Sequence, residues 1–188
     1  RNQINRKSFE NNINSKIDYQ KFLMDSSLRL LVRTANKTDI SRVIELLTRT
    51  NQMNITLKRS SLDKVNEYLN DPKVNIFCFS LSDRYGDYGM VGIIIAFYKE
   101  KDVYIEEFAL SCRAMGRNIE DCMLRYLCKY YEKKFSSINI DILMTDRNQS
   151  MVKNLTENGF LLRTENQYYK ILDDSEYLYP EWVSVIEK

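Results

Sequence analysis

Residues 103–120 read VYIEEFAL, then SCRAMGRN, then IE, which predicts an apolar strand, a basic turn and the start of a helix. Apolar residues then recur at the spacing of one helical face: Ile119, Cys122, Met123, Tyr126, Leu127 and Tyr130. A strand followed by a tight turn and a helix presents main-chain N–H groups to a phosphate or diphosphate. Cys112 stands at the mouth of that turn. The stretch therefore predicts an anion-binding loop with a thiol beside it.

The composition around this stretch is that of one folded domain. Hydrophobic residues make up 44% of the 188 residues, enough for a sizeable core, and the net charge of +2 is spread over interspersed acids and bases. Nucleic acid is therefore not the expected main partner. No apolar run reaches the roughly 18 residues of a membrane span, and no signal-peptide pattern is present. We expect a cytoplasmic location and no association with a membrane.

Cysteine and histidine usage narrows the chemistry. The four cysteines form no C-x-x-C pair, so neither a metal site nor a disulfide framework is predicted, which fits a reducing compartment. Histidine is absent, which excludes Ser-His-Asp and Cys-His catalysis within this chain. A nucleophilic cysteine would have to be activated by its surroundings alone.

The chain divides into a segment 1–27, a domain 28–172 and an acidic, aromatic tail 173–188. The first segment is either a linker or a packing helix. Helices are predicted after Thr38, around 62–69, after Gly116 and after Asn148, where Gly159 ends the helix. Strands are predicted at 28–34, 74–81, 90–98, 103–110, 138–144, 160–163 and 168–172. This order predicts an α/β (α+β) fold with a mixed, mainly antiparallel sheet flanked by helices.

This order of elements resembles the GNAT acyltransferase fold. The turn resembles the GNAT acyl-CoA loop, R/Q-x-x-G-x-G/A: Arg113 and Gly116 match, whereas Asn118 replaces the final small residue. Asn148, followed by a helix and Gly159, resembles a later GNAT element. The resemblance implies an acyltransferase with acyl-CoA or a phosphopantetheine thioester as its cofactor.

Three longer strings resemble the C-terminal part of FkbH-like proteins. They are RTNQMN at 49–54, DRYGD at 83–87 with Gly89 and Gly92, and SCR at 111–113 with Gly116 and Arg117. The resemblance covers about residues 28–160. It implies transfer of a glyceryl group from 1,3-bisphosphoglycerate to an acyl carrier protein, for methoxymalonyl-type polyketide extender units. It also implies an N-terminal HAD-type phosphatase domain if the chain is a fragment, as its start at Arg1 rather than Met suggests. The D-x-D-x-T start of that domain is not in this sequence, so its activity and its Mg²⁺ would belong to another segment.

Cys112 is the candidate nucleophile. A helix N-terminus and the nearby charges of Arg113 and Arg117 each favour the thiolate, the form that attacks an acyl group. The alternative is a buried structural cysteine at a strand end. For Cys78, Cys122 and Cys128, core packing is the expectation. The FkbH-like resemblance implies that Cys112 carries the acyl group as a thioester.

The loop around Met115 is the candidate ligand site. Main-chain N–H groups of residues 115–118, together with Arg113, Gly116 and Arg117, would hold the diphosphate of coenzyme A or the phosphate of a carrier protein's phosphopantetheine. The alternative is an ordinary helix start with solvated arginines. A side chain at Asn118 would crowd a diphosphate. Asn148, at the start of the later helix, is a further candidate for binding pantetheine.

Two other polar stretches are candidates. In 51–54, Asn51 and Asn54 are predicted to be catalytic and Gln52 to bind substrate, because carboxamides bind hydroxyls and polarise carbonyls; the alternative is turn chemistry. Asp83 and Arg84 either pair and hold substrate, with Asp83 catalytic, or merely fix their hairpin turn.

Three functions follow from these observations. The first is glyceryl transfer through a Cys112 thioester to an acyl carrier protein. The second is a conventional acyl-CoA N-acyltransferase with an amine substrate and no covalent enzyme. The third, which is not enzymatic, is a carrier-protein docking module.

Overall fold

The computed structural model describes residues 16–50, 53–56, 60–146, 148–173 and 175–188. Asn51 and Gln52, both predicted site residues, lie outside the described residues, as do the first 15 residues of the predicted linker or packing helix. None of the described helices is long and apolar enough to span a membrane.

Within the described residues, one sheet of eight strands runs through the protein. Its strands are β1 (Leu28–Thr34), β2 (Val74–Asp83), β3 (Gly86–Lys99), β4 (Asp102–Leu110), β5 (Ser137–Asp141), β6 (Leu161–Thr164), β7 (Gln167–Ile171) and β8 (Val183–Glu187). Their order in the sheet is β6-β7-β5-β4-β3-β2-β1-β8. Among these strands only the β4–β5 and β1–β8 pairs are parallel, so the sheet is mixed and mainly antiparallel, as predicted.

Helices cover both faces of the sheet. They are α1 (Lys16–Ser26), α2 (Ile40–Arg49), α3 (Leu62–Asn70), α4 (Ile119–Tyr131) and α5 (Gln149–Glu157), with a short 3-10 turn at Lys37–Asp39. The apolar sides of α2 and α3 pack on one face, and α1, α4 and α5 contribute to the larger core on the other. Ser61 caps α3 by accepting the Lys64 N–H at 3.2 Å, and Gly159 follows the end of α5 with φ +79°.

The two ends of the chain add structure to the predicted domain. Within residues 1–27, α1 is a packing helix, because Phe22 and Leu23 are buried in the core. The tail contributes β8, a strand that the sequence analysis does not predict, and this strand pairs with β1. The tail also contacts the loop before α4, where the Trp182 indole donates to the C=O of Arg117 at 3.2 Å.

The pairing of β4 with β5 is short, and the point where it stops determines where the candidate site lies. It extends only over Asp102–Ile105 opposite Ser137–Ile140. Beyond these residues, the last part of β4 and the chain after β5 no longer pair with each other. The end of β4 leads directly into residues 111–118, so the gap and the predicted ligand loop are neighbours.

Candidate functional site

The loop 111–118 has the tight turn and the exposed thiol that the sequence predicts. The Ala114 N–H donates to the C=O of Ser111 at 2.9 Å, and Gly116 and Asn118 adopt the left-handed conformation with φ of +77° and +60°. A residue with a side chain would be strained at the first of these positions, which explains the glycine. Cys112 is exposed and is not disulfide-bonded. The interpretation of Cys112 as a buried structural cysteine is therefore wrong.

A groove of about 910 Å³ lies between this loop and the C-terminal half of α2. It brings together three predicted site residues and three charged residues of α2: Cys112, Arg113, Met115, Arg42, Glu45 and Arg49. Glu45 binds Arg42 at 2.5 Å and Arg49 at 2.8 Å. These guanidinium groups, Arg42 first, and the more distant Arg113 hold the pKa of the Glu45 carboxyl below its usual value. Asp146 also lines the groove, so among the described residues its lining has three arginines and two carboxylates.

The gap between the diverging strands is filled by residues 53–56, which we call the gap segment. On one side, its Ile55 N–H donates to the C=O of Phe108 at 3.4 Å and its Met53 C=O accepts the Leu110 N–H at 3.0 Å. On the other side, the Ile55 C=O accepts the N–H of Leu143 at 2.9 Å. The gap segment therefore forms an isolated antiparallel bridge, Asn54 opposite Ala109, and links the end of β4 to the chain that follows β5.

Two predicted site residues, Asn54 and Asn148, hold the gap segment in place. The carboxamide of Asn54 donates to the C=O groups of Leu47 and Thr50, both at 3.2 Å, at the C-terminal end of α2. Asn148 donates to the C=O of Asn54 at 3.2 Å and to that of Leu143 at 2.9 Å. Both asparagines have no exposed surface. Their described contacts are structural, and their predicted roles in catalysis and in pantetheine binding stay predictions.

Asp83, Arg84 and Arg117 lie away from the groove. The Arg117 side chain is 3% exposed, and its guanidinium lies 3.9 Å from the carboxylate of Asp83 and over the ring of Tyr88. Asp83 Oδ1 accepts the main-chain N–H groups two and three residues ahead, at 2.8 and 3.0 Å, which fixes the hairpin turn. Arg84 donates to the C=O of Asp25 at 3.0 Å. In the described part of the chain, Asp83 and Arg84 therefore do not pair with each other.

The start of α4 already faces two carboxyl groups. Asp121 accepts hydrogen bonds from the carboxamides of Asn118, Asn154 and Asn158. Burial raises the pKa of Glu120, and its Oε2 has no hydrogen-bond partner among the described residues. The Asp121 carboxylate lies in the first turn of α4, so a diphosphate bound there would meet a group of the same charge. This limits the anion site that the loop motif predicts.

Sequence reasoning missed a pair of carboxylates on β4. At the register shift between β3 and β4, Glu106 is an extra residue without a partner on β3, and bulges of this kind redirect side chains. Glu107 is 2% exposed and accepts hydrogen bonds from the hydroxyls of Thr56 at 2.6 Å and Ser60 at 3.3 Å. Glu106 accepts one from Tyr68 at 3.2 Å. Two adjacent acids in an otherwise apolar strand are the signal that could have identified them.

A second cavity, of about 330 Å³, lies across the gap segment from the groove. The groove reaches Thr50 and Leu110, whereas this cavity reaches Thr56 and Leu143, so the gap segment separates the two. The second cavity is acidic and aromatic; its lining includes Glu106, Asp141, Phe97 and Tyr104. The two rings are stacked, with centroids 5.1 Å apart.

Sequence comparisons do not place the chain in a family. No protein-family model matches it, and no curated protein sequence matches it. The resemblance to FkbH-like proteins therefore has no support from these comparisons.

Comparison with solved structures gives a consistent result. The ribosomal-protein-S18-alanine N-acetyltransferase from Escherichia coli superposes with a TM-score of 0.61 over 80% of this chain and 99% of that one, at 12% identity. Spermidine N-acetyltransferase from Vibrio cholerae, solved in complex with CoA and spermine, gives 0.58 over 76% and 95%, also at 12% identity. The GNAT domain of S. lividans PAT gives 0.59 over 75% and 89%, at 11% identity.

This chain has the GNAT fold. The predicted fold class is thereby confirmed, including the mainly antiparallel sheet with helices on both faces. At 11 to 12% identity the likeness shows the fold alone, and what these proteins bind or modify is known only for them. The site residues of this chain therefore have to be argued from its own geometry.

Proposed function

We propose that this protein is an acyltransferase that handles its acyl group in the Cys112 groove. The observation that carries the proposal is an exposed thiol at the end of β4, in a groove with three arginines, on a GNAT fold. Phosphate groups are common to coenzyme A, to phosphopantetheine and to 1,3-bisphosphoglycerate. Guanidinium groups bind such phosphates by charge-assisted hydrogen bonds.

A covalent route uses Cys112 directly. The thiolate sulfur attacks the acyl carbonyl and forms a thioester, while phosphate or a thiolate leaves with the electrons of the broken bond. A carrier-protein thiolate then attacks this thioester, and the Cys112 thiolate leaves in turn. The proton of the carrier thiol passes to solvent before the second attack. Glyceryl transfer to an acyl carrier protein is one example of this route, and it rests on the FkbH-like resemblance and on the exposure of Cys112.

The second candidate is acyl-CoA-dependent transfer to an amine, and the comparisons favour it over glyceryl transfer. The superposed structures include N-acetyltransferases, and one of them holds CoA. The acidic and aromatic cavity supports the same interpretation, because carboxylates and ring faces attract a cationic amine. The carboxylates of Glu106 and Asp141 would attract the ammonium group, and the stacked rings of Phe97 and Tyr104 would offer their faces.

Intact mass separates the two candidates. The protein and its Cys112→Ser variant are incubated with acetyl-CoA, and separately with a system that generates 1,3-bisphosphoglycerate. An acyl adduct on the wild type that the variant lacks, and that hydroxylamine removes, supports the covalent route. Acylation of an amine panel at equal rates by both proteins supports N-acyltransfer. If neither protein transfers an acyl group to Cys112, to an amine or to a holo-carrier protein, the proposed function is wrong. If the protein binds a carrier protein but transfers no acyl group, the result would support the third function, a carrier-protein docking module.

A further inference from the structure

Residues 53–56 fill the gap between β4 and the chain that follows β5. The fold implies coenzyme A, whose pantetheine arm is a linear chain with two amides. A ligand of that kind pairs with the open edge of a strand by main-chain hydrogen bonds. Next to the loop 111–118, the groups of β4 suited to such pairing are the C=O of Phe108 and the N–H of Leu110. Both are already bound to the gap segment.

We propose that the gap segment 53–56 stays permanently in the gap, and that a pantetheine thioester therefore reaches this protein only through the Cys112 groove. This inference deepens the proposed function and rests on it. It makes the groove, with its arginines, the whole donor site. The gap segment then separates the groove from the acidic and aromatic cavity.

The burial of the gap segment argues against a removable plug. Met53 is 2% exposed and Ile55 is fully buried, and both side chains belong to the larger core. Opening the gap would return these two apolar side chains to water. It would also leave main-chain groups of the buried residues Phe108 and Leu110 without partners, which is costly away from water.

Four attachments anchor the gap segment, and they come from three parts of the chain: the end of α2, the end of β4 and the connection from β5 to α5. Asn54 binds the C-terminal end of α2, the segment's main chain binds β4, and its Ile55 binds the chain after β5. Asn148, directly before α5, binds the C=O of Asn54. Removal of the segment would break all four attachments together, because they converge on four consecutive residues.

The start of α4 gives a second, independent observation about where a diphosphate could bind. Both Glu120 and Asp121 lie in the first turn of α4, so a diphosphate at this helix N-terminus would have acidic residues beside it. The positive side chains lie instead in the groove, on α2 and at Arg113. Both observations point away from the gap as the path of the thioester and towards the groove.

Hydrogen exchange tests the gap segment without any turnover. The amides of Ile55, Leu110 and Leu143 are followed in the whole protein, free and with millimolar CoA, and compared with the core amide of Ile94. A gap segment that stays in place predicts exchange within about tenfold of that of Ile94, unchanged by CoA. The proposal is overturned if CoA speeds exchange at Ile55 more than about tenfold while Leu110 stays protected. It is also overturned if Ile55 in the free protein exchanges more than about tenfold faster than Ile94.

A disulfide probe tests the groove. The Cys112 thiolate attacks the S–S bond of CoA disulfide, forms a mixed disulfide and releases one CoA thiolate. The neutral pantethine disulfide reacts by the same exchange without phosphates. If the groove receives the thioester, CoA disulfide should modify Cys112 roughly tenfold faster than pantethine at low salt, because arginines steer the anion. Arg49→Ala should reduce this preference, and Lys64→Ala, an exposed cation on α3, should not.

Equal modification rates for the two disulfides in the wild type would overturn the groove as the thioester's route. Neither probe requires acyl transfer. A protein that passes both tests yet transfers no acyl group would disprove the proposed function and leave the closed gap established. A protein that transfers acyl groups while CoA opens the gap would support the proposed function and disprove the closed gap.

Discussion

The gap segment 53–56 and the loop 111–118 both lie against the end of β4, and both contain predicted site residues. In the gap segment every residue is buried, and its carboxamide at Asn54 serves main-chain carbonyls. In the loop, Cys112 and Arg113 stay exposed. The difference follows from position. A segment between two diverging strands must satisfy their unpaired N–H and C=O groups, whereas a loop beyond the end of a strand can satisfy its own groups within a turn. The polar side chain of the gap segment is therefore used for structure, and the polar side chains of the loop stay available to line a site.

Thiol labelling should give the largest contrast between an open and a buried position. Burial raises the pKa of Cys78, Cys122 and Cys128 to about 12, against an ordinary value of 9.0. Three pKa units lower their thiolate fraction about a thousandfold near neutral pH, before access is considered. Iodoacetamide should therefore modify Cys112 first, as read by peptide mass, and Cys112→Ser should remove the fast phase. Equal labelling of a second cysteine in the folded protein would contradict this.

Arg117 should affect stability rather than ligand affinity. Its guanidinium is buried beside Asp83, so Arg117→Ala leaves a buried carboxylate without its cation. Removal of one partner of a buried pair costs about 3–5 kcal/mol in the free energy of unfolding. Urea denaturation measures this loss, and the exposed Arg113→Ala is the matched control, expected to change it by less than about 0.5 kcal/mol. Similar losses for the two variants would mean that Arg117 is as solvated as Arg113.

Ile55→Ala tests the burial of the gap segment directly. Ile55 is fully buried, and truncation of a buried isoleucine to alanine costs about 2–5 kcal/mol. Ile186, on the edge strand β8, is 43% exposed and provides a matched control for which we expect less than about 1 kcal/mol. Urea denaturation compares the two variants. A cost at Ile55 no greater than that at Ile186 would show that the gap segment is not part of the core.

Local patterns were enough to predict most of the fold. The apolar run before Ser111 and the helical spacing after Gly116 indicate β4 and α4, and both elements form there. The strand β8 was missed because its five residues gain their order from pairing with β1, more than 150 positions earlier in the chain. No local pattern reports a partner so distant.

The candidate site was harder to predict than the fold. Cys112 could be predicted because a thiol beside a basic turn is a local signal. The burial of Arg117 could not, since the side chain's direction depends on the hairpin at Asp83 and on the packing of Tyr88. The structural contacts of Asn54 and Asn148 follow from the divergence of two strands, which the sequence of neither strand reveals.

Asn148→Ala should have a smaller effect than the loss of Ile55. The variant removes the donor to the C=O groups of Asn54 and Leu143, and the buried C=O of Asn54 then loses this partner, at a cost of about 1–3 kcal/mol. Asn70, exposed near the end of α3, offers the control: Asn70→Ala should stay within about 0.5 kcal/mol of the wild type in urea. If Asn148 instead binds pantetheine, its variant would keep the wild-type stability and lose affinity for CoA.

Arg113→Ala should produce the smallest change, in affinity alone. Its side chain is exposed in the groove, so an ion pair with a phosphate is screened by water and worth about 0.2–1 kcal/mol, or up to roughly fivefold in Kd. Calorimetry with CoA at low and high salt measures this. The weakening should shrink as salt screens the charge. The control is Arg29→Ala, an exposed arginine on β1, away from the groove, which should leave Kd unchanged. If Arg113→Ala and Arg29→Ala have the same Kd as the wild type at low salt, Arg113 does not bind the phosphates of CoA. The exposed loop 111–118 would then not be the phosphate-binding part of the groove.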